Sequence, residues 1–195
     1  MDMTMTAQEH KERKERSAKL LLLFAMGSMT MMFAGIVSAF VVSKSREDWM
    51  KDFQLPTAFY FSALAIILCS ITFHLAKKAI QKDDRTLTTN FLFLTLALGI
   101  SFVFFQFKGF GQLMDSGYFF SGPESNIATT FLYVIATVHL AHLAGGLICL
   151  LIIIYNHFKQ KYNSSQTLGI ELGAMYWHFL DFLWICLFLF LYFFK

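Results

Sequence analysis

The sequence predicts an all-α fold: a polytopic membrane protein, a bundle of five transmembrane helices with its N-terminus cytoplasmic and its C-terminus periplasmic. Three observations predict it. The first is composition: 56% of the 195 residues are hydrophobic, with 24 Phe, 10 Met and only 2 Pro, which suits a bilayer better than water. The second is a set of five apolar stretches at about 20–43, 56–76, 90–107, 127–155 and 172–194. Each is near or above the roughly 17–25 residues that cross a hydrocarbon core of about 30 Å. The third is charge placement, because Lys and Arg near helix ends stay on the cytoplasmic side. Lys11, Arg13, Lys14, Arg16 and Lys19 precede the first stretch, Lys77, Lys78, Lys82 and Arg85 follow the second, and Lys159 and Lys161 follow the fourth. The opposite side holds fewer: Lys44, Arg46, Lys51, Lys108 and Lys195. The loops leave no room for a separate soluble domain, so the chain divides into a charged cytoplasmic arm, 1–19, and a five-helix domain, 20–195.

Taken in order, the arm "EHKERKERSAK" offsets acids and bases by three or four, which supports a solvated helix able to lie on the membrane surface. The first apolar stretch exceeds a signal-peptide core of about 7–15 residues and lacks a clean small-x-small cleavage site, so it is expected to be retained. Gly35 and Ala39 give it a small-x-x-x-small spacing that permits close helix packing. Pro56 opens the second helix, where its missing N–H costs nothing. Pro123 lies in the loop "SGPESN", where Ser125 or Asn126 is placed to cap the fourth helix. Thr137, Ala141 and Gly145 extend the small-residue spacing along that helix. Cys69, Cys149 and Cys186 lie far apart inside apolar stretches, which indicates neither a disulfide framework nor a thiolate metal site. No internal repeat or interrupted half-helix pair marks a transporter. Phosphate loops and nucleophile elbows are absent too, and nothing in the pattern suggests a nucleic-acid partner.

Ionisable residues at membrane depth are functional candidates by default. Here they are His74, His139, His142, His178 and Asp181, with Glu171 at the entrance to the last helix. On a helix Glu171, His178 and Asp181 fall within an arc of about 80°, so one face of the last helix is polar. His139 and His142 stand one turn apart on the fourth helix. At about 1.5 Å per residue, His178 and Asp181 lie about 10 and 15 Å from Glu171, and His142 lies about 20 Å from Tyr155 at the same side. These depths predict a buried cluster of His139, His142, His178 and Asp181 nearer the cytoplasm. Three His and an Asp form a plausible metal-ligand set. The favoured alternative is a hydrogen-bonded network that locks the last two helices together. Trp177 and Trp184 flank this lock as packing or lipid contacts. His74, just before Lys77 and Lys78, is expected to reach the interface and play no part.

"YWHFLDFLW" after Glu171, together with "TVHLAHLAGG", "LPTAFYFSALAIILCSITFHLA" and "LALGISFVFFQ", closely resembles subunit III of the haem-copper cytochrome c and quinol oxidases. The resemblance runs from about residue 20 to 194 with the helices in the same order. It implies an accessory subunit of an oxidase that carries electrons from cytochrome c or quinol to oxygen, with no catalytic residue and no metal of its own. Haems and copper belong to partner subunits I and II. The resemblance further implies bound structural phospholipid, support for proton uptake, and a place in a bacterial inner membrane, with a larger respiratory supercomplex as a possible setting. Long family members have seven helices, and this sequence looks like the five-helix bacterial form. Where the family usually reads Ser-Glu in an "ASEVMLFAG"-like stretch, this chain reads Gly27 to Gly35 with Met29 at the carboxylate position. A methionine there implies packing or a lipid contact, and no proton role carries over to it. Two alternatives stay open at this stage: the accessory subunit of a nitric oxide reductase, and an independent haem- or metal-binding membrane protein.

Overall fold

The structure is a computed structural model that describes residues 7–46, 49, 55–122, 125–163 and 166–194. Lys51 and Lys195, which entered the topology argument, and Pro123 of the loop before the fourth helix lie outside the described residues. Five helices follow in order: α1 (Ala7–Ser43), α2 (Thr57–Gln81), α3 (Arg85–Asp115), α4 (Ile127–Phe158) and α5 (Leu168–Phe194). All five are long and apolar enough to cross a membrane. Among the described residues, the one pairing of strand type is an isolated bridge between Asn163 and Gln166.

The helix limits follow local chemistry as well as apolarity. Pro56 precedes α2 at its N-cap with φ −55°. The turn from α2 to α3 is tight: Asp83 takes φ 56°, a left-handed conformation that a short polar side chain tolerates. Asp84 then caps α3 by accepting the Leu87 N–H at 3.0 Å. Of the two expected caps for α4, Asn126 serves, its Oδ1 accepting the Ala128 N–H at 2.9 Å. These caps satisfy N–H groups that the first turn of a helix leaves without partners. The expected surface-lying arm is absent as a separate element, because α1 runs unbroken from Ala7 into the apolar stretch. Alternating charges favour helix as the membrane segment does, and no Gly or Pro stands at the junction to stop it.

The tight turn makes α2 and α3 an antiparallel pair with the most extensive contact in the bundle, and α5 packs against α1, α2 and α4. Polar pairs fix the register of α2 on α3: Thr72 to Thr95 at 2.9 Å and Gln106 Nε2 donating to Ser62 Oγ at 2.9 Å. In apolar surroundings such groups need internal partners, which ties each pair to one alignment. The core holds Phe59, Phe73 and Phe102 with Trp177 and Trp184, all buried. Both tryptophans are therefore packing residues and do not reach lipid. Gly146 lets Trp177 approach α4, since a Cβ there would stand 3.1 Å from the indole.

α1 is the least integrated helix: among its described residues only Phe33 and Phe40 are buried. Their spacing of seven places both on the face that meets α4 and α5. This corrects the packing role expected for the small residues. Gly35, Ala39, Thr137 and Ala141 are exposed, and a Cβ at Gly35 would meet nothing within 4 Å. Large aromatics dominate the α1 contact, so the small residues turn outward.

Candidate functional site

The polar residues of the spans separate into three places. The first is the seam between α2 and α5. Ser70 Oγ lies 2.6 Å from His178 Nδ1, a hydrogen bond whose donor depends on the histidine tautomer. The His74 ring stands 6.2 Å from the His178 ring, centroid to centroid. One turn further along α5, Asp181 is 3% exposed, and neither carboxyl oxygen has a hydrogen-bond partner among the described residues. Ser70 lies beside that carboxyl without hydrogen-bond geometry. Cys69, next to Ser70, accepts the Trp177 Nε1–H at 3.1 Å and anchors α2 on α5.

The second place is an aromatic box. His139 is fully buried, and neither ring nitrogen has a partner among the described residues. Its ring lies 4.9 Å from Trp184, 5.8 Å from Phe102 and 6.4 Å from Phe33. His142 bonds its own helix, Nδ1 to the Val138 carbonyl at 2.8 Å, and faces Phe33 at 5.9 Å.

The third place is an apolar cavity of about 580 Å³ between α1, α4 and α5. Leu22 and Met29 line it from α1, Gly145, Cys149 and Ile152 from α4, and Leu172, Gly173 and Tyr176 from α5. The Tyr176 hydroxyl donates to the His142 carbonyl at 3.0 Å, crossing from α5 to α4. Tyr162 and Gly169 also line a neighbouring cavity of about 210 Å³ whose wall carries Lys11, Lys14 and Lys161. Burial raises the Tyr162 phenol above its ordinary range, so it stays a neutral hydroxyl. On the α1 side of the same membrane face, Lys19 Nζ pairs with Glu171 at 3.0 Å.

The expected single cluster is thus replaced by separate groups. His178 and Asp181 turn toward α2, His139 and His142 meet aromatic rings, Glu171 pairs with α1, and Met29 lines a cavity. The physical reason is rotational. A polar arc on α5 meets whichever neighbour lies on that side, and α2 rather than α4 lies there. No hydrogen bond joins the four histidine and aspartate side chains among the described residues. Among those residues, too, no three His, Cys, Asp or Glu side chains stand close enough to share a metal ion. Sequence reasoning missed Ser70 and set His74 aside. Their signal was the one-turn spacing of Ser70, His74 and Lys77 on a single face of α2. It also missed His157, which meets Thr89 Oγ1 at 2.9 Å across α3 and α4.

The family model described as "Cytochrome c oxidase subunit III" matches residues 3–195. Among curated relatives, the chain is 28% identical over 193 residues to "Cytochrome c oxidase subunit 3" of Thermostichus vulcanus, covering 97% of this chain and 93% of that one. It is 30% identical to "Cytochrome c oxidase subunit 3" of Spodoptera frugiperda, covering 72% of this chain and 89% of that one. To "Cytochrome bo(3) ubiquinol oxidase subunit 3" of Buchnera aphidicola subsp. Schizaphis graminum it is 29% identical, covering 73% of each. Neither the nitric oxide reductase alternative nor the independent haem- or metal-binding alternative finds support among these relatives.

Proposed function

The chain belongs to the cytochrome c oxidase subunit III family and is subunit III of a haem-copper oxidase, and from that premise we propose that it is a non-catalytic stabiliser of that complex. It packs beside subunits I and II, which hold the haems and copper, supports proton uptake, and retains structural phospholipid. Its setting is a bacterial inner membrane. Residues 1–19 form a water-facing basic arm on the cytoplasmic side, and residues 20–195 form the membrane domain, a division favoured by the Lys and Arg distribution.

One observation carries the lipid part of this reading: the apolar cavity between α1, α4 and α5 adjoins a smaller one walled by Lys11, Lys14 and Lys161 against a single carboxylate, Glu15. Acyl chains suit the first and a phosphate headgroup the second, since burying a CH₂ contributes about 0.8 kcal/mol and each nearby Lys about 1 kcal/mol toward an anionic surface. Gly145→Phe places a ring in the cavity. The expected result is fewer phospholipid molecules per purified complex than in the parent, with the same haem content. Equal lipid content in both would contradict the assignment.

A further inference from the structure

The α2/α5 seam contains a buried acid that the stabilising role does not use. Asp181 is nearly fully buried, with both oxygens unpartnered among the described residues. A charged carboxylate in that position would be far costlier than a neutral acid. A neutral acid still leaves a donor unsatisfied, and such an orphan in a native structure calls for an explanation. The groups around it supply one. Ser70 lies beside the carboxyl and is 2.6 Å from His178 Nδ1; the His178 ring faces His74, which is exposed, with Lys77 one turn beyond toward the helix end. Each of these can both give and take a proton except Lys77, which marks the water-facing end.

We propose that Asp181 is an exchangeable proton store, loaded and emptied through Ser70, His178 and His74 from the water at the Lys77 end of α2. In discharge, the Asp181 carboxyl turns onto Ser70 to close a hydrogen bond that is open at rest, and its O–H passes its proton to Ser70 Oγ as the Ser70 hydroxyl proton moves to His178 Nδ1. His178 releases the proton on Nε2 to a bridging water or to His74, and His74 releases one to bulk water. One proton leaves for each carboxylate formed, and no electron moves. The other titratable groups that face this seam and α5 are Cys69 and Tyr60 on α2, Glu171, Tyr176, Cys186 and Tyr192 on α5 itself, His139, His142 and Cys149 on α4, and Lys19 and Lys44 beside α1. The proposal rests on the proton-uptake reading for its purpose; the exchange itself is a property of these side chains.

The test is infrared spectroscopy of the intact oxidase complex transferred to D₂O. A protonated carboxyl C=O band should be present in the parent, missing in Asp181→Asn, and shifted in D₂O. Ser70→Ala should slow that shift on the order of 10²-fold, the lower range for removing a positioned proton-transfer group. Ser70→Thr, which keeps the hydroxyl, should restore it, and His74→Ala, at an exposed position tolerant of truncation, should slow it as well. Identical bands in the parent and Asp181→Asn would overturn the proposal, as would unchanged exchange in both Ser70→Ala and His74→Ala. Slowed exchange with unchanged proton uptake during turnover would uphold the store and instead contradict the proton-uptake role of the chain.

Discussion

Gly146 and Gly35 show how the same residue type acts on opposite faces of a helix. A Cβ at Gly146 would lie 3.1 Å from Trp177 and 3.3 Å from Leu180, whereas one at Gly35 would meet nothing within 4 Å. Gly146→Ala is therefore expected to cost about 1–3 kcal/mol through forced displacement of a buried indole. Gly35→Ala should leave the melting temperature of the detergent-solubilised chain unchanged. Equal losses in both variants would mean that α1 packs through its small residues after all. Nothing in the sequence separated these two glycines. Spacing establishes which residues share a face, but the direction of that face depends on the neighbours that surround the helix. The same limit explains His178 and Asp181: their shared face was legible from the 3.6-residue period, and their partner Ser70 was not. Asp181 was legible as buried from its depth in the last span, and its neighbours Leu180, Leu183 and Trp184 are all core residues.

At the scale of elements, the number and order of helices were readable because each apolar stretch is long enough to span. The boundaries were less so: α3 extends over Arg85–Asp115 and α1 begins at Ala7, well outside the apolar limits. Polar helix ends carry no hydropathy signal, and the N-cap Asp84 and the unbroken charged segment set where α3 and α1 begin. The turn between α2 and α3, with Lys82 and Asp84, and the C-cap of α3 at Ser116 lie at opposite ends of α3, and so on opposite faces of the membrane. With the basic turn in the cytoplasm, a thiol at Lys82→Cys should be labelled by an impermeant maleimide only in inside-out vesicles. One at Ser116→Cys should be labelled from outside in intact cells. The reverse pattern would invert the proposed topology.

For the whole molecule, the least covered surface belongs to α1. α1 buries only Phe33 and Phe40 among its described residues, and exposed Leu21, Phe24, Met31 and Val42 cover much of its outer side. In a bilayer such a face is compatible with lipid or with another helix, and the small residues beside it allow a close neighbour. Family membership was legible from four motifs in register, each carrying core or seam residues that the fold then placed: Trp177 and Asp181 in the last helix, His139 in the fourth, Phe102 and Gln106 in the third, Ser70 and Phe73 in the second. The proposed division of labour within the oxidase rests on the family resemblance and not on any one motif, because the residues of a single chain do not locate groups in another. The central claim is that this chain supports a redox enzyme without holding a redox centre. Native mass spectrometry of the complex, purified through a tag on this chain in mild detergent, tests it most directly. The account predicts co-isolation with haem- and copper-bearing subunits, and release of this chain on dissociation with phospholipid but neither haem nor metal. Isolation of the chain by itself, or its release with stoichiometric haem or metal, would contradict it.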